Sequence, residues 1–249
     1  MILYVNGCSH TAAAEAAVPH AFAEDDGMLY HLGRAPHPDN EAISFAAVLS
    51  MSLGIERINQ SQSGGCNARI IRTTQAWLAQ NQARLNDVFV LIQWTTWERQ
   101  EWLYDNTWWQ VNASGTDHVP DALLQRYKQF IIDVDWPACT QQAHRDIWNF
   151  HQTLNEMGVQ HLFFNANSHF GGLHLVEHLM QPIIPISARH DWNLCYMDPY
   201  QLESTYNSVL IRNGFKMVNP KSYHFGIDAH CFWGKFLLQY IIKHQLYST

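Results

Sequence analysis

The chain has 249 residues, 47% hydrophobic and 15% charged, the balance of a globular fold with a sizeable core; disordered, collagenous and disulfide-dense classes are excluded. Lys and Arg number 15 against 22 Asp and Glu, a formal charge of −7 without a basic cluster, so a nucleic-acid partner held by phosphate neutralisation is not expected. Cys8, Cys66, Cys139, Cys195 and Cys231 are odd in number and lack CxxC spacing, the pattern of thiols in a reducing compartment. No run approaches the roughly 18 apolar residues of a membrane span, and Met1 to Val5 is too short for the apolar core of a signal peptide. The expectation is a cytoplasmic protein without a membrane partner.

Ile2 to Asn6 is a short β-prone run closed by Gly7, which predicts a buried strand. Asn40 to Leu53, apolar at Ile43, Phe45, Ala46, Val48 and Leu49, predicts one helix stopped by Gly54. Ile55 to Asn59 reads as a second strand. From Cys66 to Asn81, Ile70, Ile71, Thr74, Trp77 and Leu78 share a helical stripe, and Asp87 to Gln93 is a continuous apolar strand of the kind parallel sheets bury on both faces. Trp94 to Pro120 is aromatic and aperiodic, as long functional loops are. Helices are expected over Asp121 to Asp133 and from about Asp135 to Gly158, and a fourth strand over Val159 to Asn165. A weaker fifth strand follows at Asn193 to Met197, then a helix over Tyr200 to Arg212 and a last helix from His230 through Trp233, Phe236, Leu237, Tyr240 and Ile241. The alternation argues one doubly wound, three-layer α/β domain over residues 1–249 with a central parallel sheet and an aromatic-rich insertion at about 94–120.

Open parallel sheets bind ligands beyond the carboxyl ends of their strands. The loops expected there carry Gly7-Cys8-Ser9-His10-Thr11, Asn59 through Gly64-Gly65 to Asn67, Gln93 through Thr96 to Arg99, and Asp228-Ala229-His230 before the last helix. A serine, a glycine pair and an Asp/His pair are the parts of an acyl-transfer site. A serine hydroxyl becomes a nucleophile when an imidazole takes its proton, and a carboxylate fixes that imidazole's tautomer.

On these short blocks, in this order, the sequence resembles the SGNH (GDSL-like) hydrolase superfamily, and in particular phage-type proteins opening with a Gly-Cys-Ser-x-Thr motif. The resemblance implies an SGNH/flavodoxin-like fold and a serine esterase or deacylase that needs no cofactor and no metal. It implies Ser9 as nucleophile, His230 as base, Asp228 as orienting acid, and oxyanion donors at Ser9 and Gly64, with Thr96 or Asn67 as a third. Gly234 falls at the small-residue position that follows. Three departures stand out. Cys8 replaces the usual Asp, the Asp-x-His spacing is one residue short, and Gln93 to Arg99 lacks the asparagine that supplies the third oxyanion donor. A phage origin would place the protein in the host cytoplasm or the virion.

Trp94, Trp97 and Trp102, with Trp108 and Trp109, offer aromatic faces beside this cleft, which points to substrate binding and to an acylated carbohydrate or other small-molecule ester. The alternative is that these rings close the core or an oligomer interface. His174-Leu175-Val176-Glu177-His178 matches a helical zinc-peptidase pattern, although chance matches come easily among 15 histidines. Glu98 and Arg99 read as a structural ion pair. The rival to an esterase is a non-catalytic module of the same fold that binds a glycan or a protein, a reading the missing asparagine favours.

Overall fold

The computed structural model describes residues 1–19, 35–113, 119–218 and 223–247. Four strands, β1 (Ile2–Asn6), β2 (Glu56–Asn59), β3 (Val88–Trp94) and β6 (Gln160–Asn165), form one sheet in the order β2-β1-β3-β6. Every pairing in it is parallel. Successive side chains of a strand point to opposite faces. Ile2, Tyr4, Val88, Val90, Ile92 and Phe163 therefore pack on one side with α3 (Asn67–Gln80) and α5 (Trp136–Glu156). Leu3, Val5, Phe89, Leu91, Leu162 and Phe164 pack on the other with α2 (Phe45–Leu53), α6 (Tyr206–Arg212) and α7 (Ile227–Lys243). The result is a three-layer α/β fold, and it explains why β3 is apolar throughout: all seven of its residues are buried.

The departures from the sequence reading are local. The helix expected over Asn40 to Leu53 is two helices, α1 (Pro38–Ala42) and α2, because Ser44 leaves helical geometry and its side chain accepts the Ala47 N–H, capping a new start. The aromatic stretch folds as an antiparallel hairpin, β4 (Gln100–Tyr104) and β5 (Thr107–Val111), which packs on α4 (Asp121–Asp133). The fifth strand shrinks to a single parallel bridge between Phe163 and Tyr196. Of Tyr200 to Arg212, only α6 is α-helix, started by Thr205 as its cap. The last helix begins at Ile227, ahead of His230. His174 to His178 lies on no helix: it runs along β7 (Leu173–Val176) into the turn before β8 (Leu179–Pro182), so the zinc-peptidase geometry does not form. Among the described residues no three His, Cys, Asp or Glu side chains gather as metal ligands, no helix is long and apolar enough to cross a membrane, and the five cysteines are free thiols.

Candidate active site

The loops beyond β1, β2 and β3 are tied to one another by specific contacts. A Cβ on Gly7 would collide with Thr11 Oγ1 and lie 3.2 Å from the Gln93 side chain, so only glycine lets the chain turn there. The Thr11 hydroxyl donates to Gln93 Oε1 at 2.7 Å, joining the first loop to β3. The Gln62 N–H donates to the Gly7 carbonyl at 3.2 Å, joining it to the loop after β2. Beneath them the buried Arg69 guanidinium donates to Asn6 Oδ1 and to the Gln60 carbonyl. Burial, by disfavouring the charged form, brings the Arg69 pKa down to about 10. The sequence-predicted Ser9 and Gly64 thus reach neighbouring loops at one sheet edge.

His230 and Asp228 do not form the expected pair. The two residues stand two positions apart on one helix, and Asp228 faces solvent while His230 is buried. His230 Nδ1 accepts the Phe45 N–H at 3.3 Å, which places the ring's proton on Nε2 and occupies the nitrogen that an orienting acid would hold. Burial pulls the His230 pKa down to about 3, and the ring stacks on Phe45. No hydrogen bond joins it to Ser9. His230 instead continues the inner stripe of Trp233, Leu237 and Ile241 and serves the α2–α7 contact.

The histidine held by a carboxylate at this edge is His224. Its Nδ1 lies 2.7 Å from Glu15 Oε2, and both side chains keep partial contact with solvent. Glu15 belongs to the coil that carries Ser9, which is wound by backbone bonds from Ala12 to Cys8, Ala13 to His10 and Ala14 to Ser9. Within it Ala13 and Glu15 hold left-handed φ values of 53° and 62°, uncommon for residues with a Cβ and characteristic of functional loops. His10 completes the contact, its ring 5.3 Å from His224 in an edge geometry. Burial first, and then His224, Arg99 and His230, hold the His10 pKa well below the ordinary imidazole value, so that ring is neutral. The sequence reading missed His224 and Glu15. The usable signal lay in the helix: His230, Trp233, Leu237 and Ile241 share core spacing, whereas His224 stands outside the helix start.

The backbone N–H groups of Ser9 and Gly64 make no hydrogen bond with the described residues, and Gly64 adopts φ 77° with open space where a Cβ would be. Neither amide opens a helix, since Ser9 begins a coil and α3 starts at Asn67. Thr96 and Asn67 are not placed as third donors. The Thr96 hydroxyl donates to Glu98 Oε1 at 2.9 Å, and Asn67 exchanges bonds with the backbone of Thr95, fastening α3 to the loop after β3.

The tryptophans expected to bind substrate are structural. Trp94 is fully buried, Trp97 stacks on Phe170 at 4.7 Å, and Trp102 is buried between the hairpin and α4 under Arg126. The faces of these three are covered by protein and offer no platform, whereas Trp108 stays exposed on the hairpin with Arg72 over its ring. Glu98 and Arg99 form no ion pair: among the described residues, buried Arg99 Nε and Nη1 have no hydrogen-bond partner, and neither has Glu98 Oε2.

No curated protein matches the chain. Among solved structures, TesA aligns over 99% of this chain and 100% of its own with 15% identity and a TM-score of 0.46. An acetyl xylan esterase (Est2A) from the rumen bacterium Butyrivibrio proteoclasticus aligns over 99% of this chain and 64% of its own with 11% identity and a TM-score of 0.41. A family model matches residues 31–166, more than half the chain, in a segment that includes Gly64, Asn67 and Arg99. The chain belongs to that family, DUF6071, whose description is a family of unknown function.

Proposed function

We propose that the protein is a serine hydrolase that cleaves esters, with Ser9 as nucleophile and His224, oriented by Glu15, as general base. The observation that supports it is the 2.7 Å contact of His224 Nδ1 with Oε2 of Glu15, a residue of the coil that carries Ser9. An ionised carboxylate only accepts, so the contact keeps the proton on Nδ1 and the lone pair on Nε2, the tautomer a base needs. In the reaction Ser9 Oγ adds to the ester carbonyl while its proton passes to His224 Nε2. The amides of Ser9 and Gly64 donate to the resulting oxyanion. The imidazolium then protonates the departing alkoxide, and a water activated in the same way returns the acid and restores Ser9.

The test is hydrolysis of 4-nitrophenyl acetate and longer acyl esters. Ser9→Ala and His224→Gln should each remove about 10³-fold or more of kcat/KM, and the double variant should be little worse, because members of a triad act as a unit. Asp228→Asn should leave the rate within about twofold of wild type. A folded wild-type protein inactive across the panel would favour the second reading, a non-catalytic binding module. One observation supports that rival: the side chains of Thr96 and Asn67 are engaged elsewhere, and loss of one oxyanion donor typically costs about 10²–10³ in rate.

A further inference from the structure

Arg99 stands on the loop after β3, the strand whose Gln93 side chain is bonded to the Ser9 coil through Thr11. Among the described residues its buried Nε and Nη1 have no hydrogen-bond partner, and no ion pair reaches its guanidinium. The neighbouring acid does not pair with it: Glu98 spends Oε1 on the Thr96 hydroxyl, and its buried Oε2 makes no hydrogen bond to the guanidinium. The other carboxylates near the loops are engaged, Glu15 with His224 and Glu101 with Arg72 in a two-pronged contact. The electrostatic influence of Arg99 reaches His10, beside Ser9 and against His224, and His10 is itself neutral with a buried, unpartnered Nδ1. A guanidinium cannot shed its proton to escape burial, as a lysine or a histidine can, so its desolvation must be met by an acceptor. Buried donors without partners cost stability, and the acceptor of a bound ligand is one means of offsetting that cost.

We infer that Arg99 is the receptor for an anionic group on the substrate, so that the ester cleaved at Ser9 carries a carboxylate or a phosphate on its acyl side. This rests on the Ser9–His224 hydrolase reading. A charge-assisted hydrogen bond to such a group stabilises the bound ester by enough for a preference of about tenfold or more over a neutral ester of equal length. The chain's overall charge of −7 opposes approach of an anion, so the preference comes from the local guanidinium, not from long-range steering.

The experiment compares kcat/KM for the 4-nitrophenyl half-ester of glutaric acid with that for 4-nitrophenyl valerate, in wild type, Arg99→Gln and Arg99→Lys. The account predicts about a tenfold or greater preference for the glutaryl ester in wild type, a ratio near one in Arg99→Gln, and an intermediate ratio in Arg99→Lys. A wild type without the preference, or a preference that survives in Arg99→Gln, overturns it. A second readout needs no turnover: glutarate and inorganic phosphate are added separately while thermal unfolding is followed. Protection of wild type that is lost in Arg99→Gln upholds the anion site even if neither ester is cleaved, in which case only the hydrolase reading falls. The anion that protects at the lower concentration tells carboxylate from phosphate. Where neither ester is cleaved, no protection of wild type by either anion, or protection that survives in Arg99→Gln, refutes the site.

Discussion

Glu15 and His224 are 209 positions apart in sequence, and their contact depends on a left-handed turn in the Ser9 coil that no local pattern announces. The placement of Ser9 and Gly64 on neighbouring loops at the sheet edge was legible, because Gly7-Cys8-Ser9 follows an apolar strand and the glycine pair follows the second strand. The contact of Glu15 with His224 was not. Asp228-Ala229-His230 offered a nearer pairing, and a helix turns residues two apart to different faces. At this scale the prediction concerns the carboxylate. Glu15→Gln keeps the length of the side chain, but its amide no longer demands the proton on Nδ1, and the analogous change in a Ser-His-Asp triad costs about 10⁴-fold in kcat. The hydrolysis rate of the variant should fall by about 10²–10⁴-fold with unchanged far-UV circular dichroism. A rate within threefold of wild type would remove Glu15 from the mechanism.

The elements were read well where one periodicity ran unbroken and poorly where a side chain interrupted it. α3, α4, α5 and the strands of the parallel sheet lie within a residue or two of their expected places. Ser44, read as one residue of a longer helix, caps a new one, and the Trp-rich stretch hid a hairpin whose large rings alternate between α4 and solvent. The close packing of α2 on α7 follows from Gly234, where a Cβ would stand 2.7 Å from Val48 Cβ and 2.9 Å from the Phe45 carbonyl oxygen. Backbone cannot swing aside as a side chain can, so Gly234→Ala must separate the helices and strain the bond from the Phe45 N–H to His230. Overpacking of this kind costs about 1–3 kcal/mol. Urea unfolding should show a lower midpoint with an unchanged slope; an unshifted midpoint would mean that the helices adjust freely.

Across the molecule, the alternation of strand and helix announced a parallel sheet covered on both faces, and hydrophobic layering followed from it. The neutral state of the buried histidines was not legible, since spacing shows which face a histidine takes but not what partners its ring nitrogens find there. His161 Nδ1–H donates to the Val159 carbonyl, so its Nε2 accepts from His151 Nδ1–H, and His151 Nε2 in turn faces Asn155. Burial, the largest cause, brings His161 to about 4, and it brings His230 to about 3. Both folded values lie below the unfolded value of about 6.5. The unfolded chain therefore takes up protons first as pH falls, and stability present above about pH 6.5 is lost progressively toward pH 4 and below. Each such group forfeits about 1.4 kcal/mol per pH unit within that window. The unfolding temperature should accordingly be level from pH 8 to 7 and fall steeply between pH 6 and 4.5, and a level profile through that range would show these rings to be solvated.

The most direct test of the central claim is labelling with a fluorophosphonate, which reports an activated serine whatever the natural ester, followed by mass spectrometry of the peptides. The account predicts one adduct, on Ser9, lost in His224→Gln, strongly reduced in Glu15→Gln and retained in Asp228→Asn. An adduct on another residue, labelling of Ser9 that is indifferent to His224, or no adduct on the folded protein would contradict it.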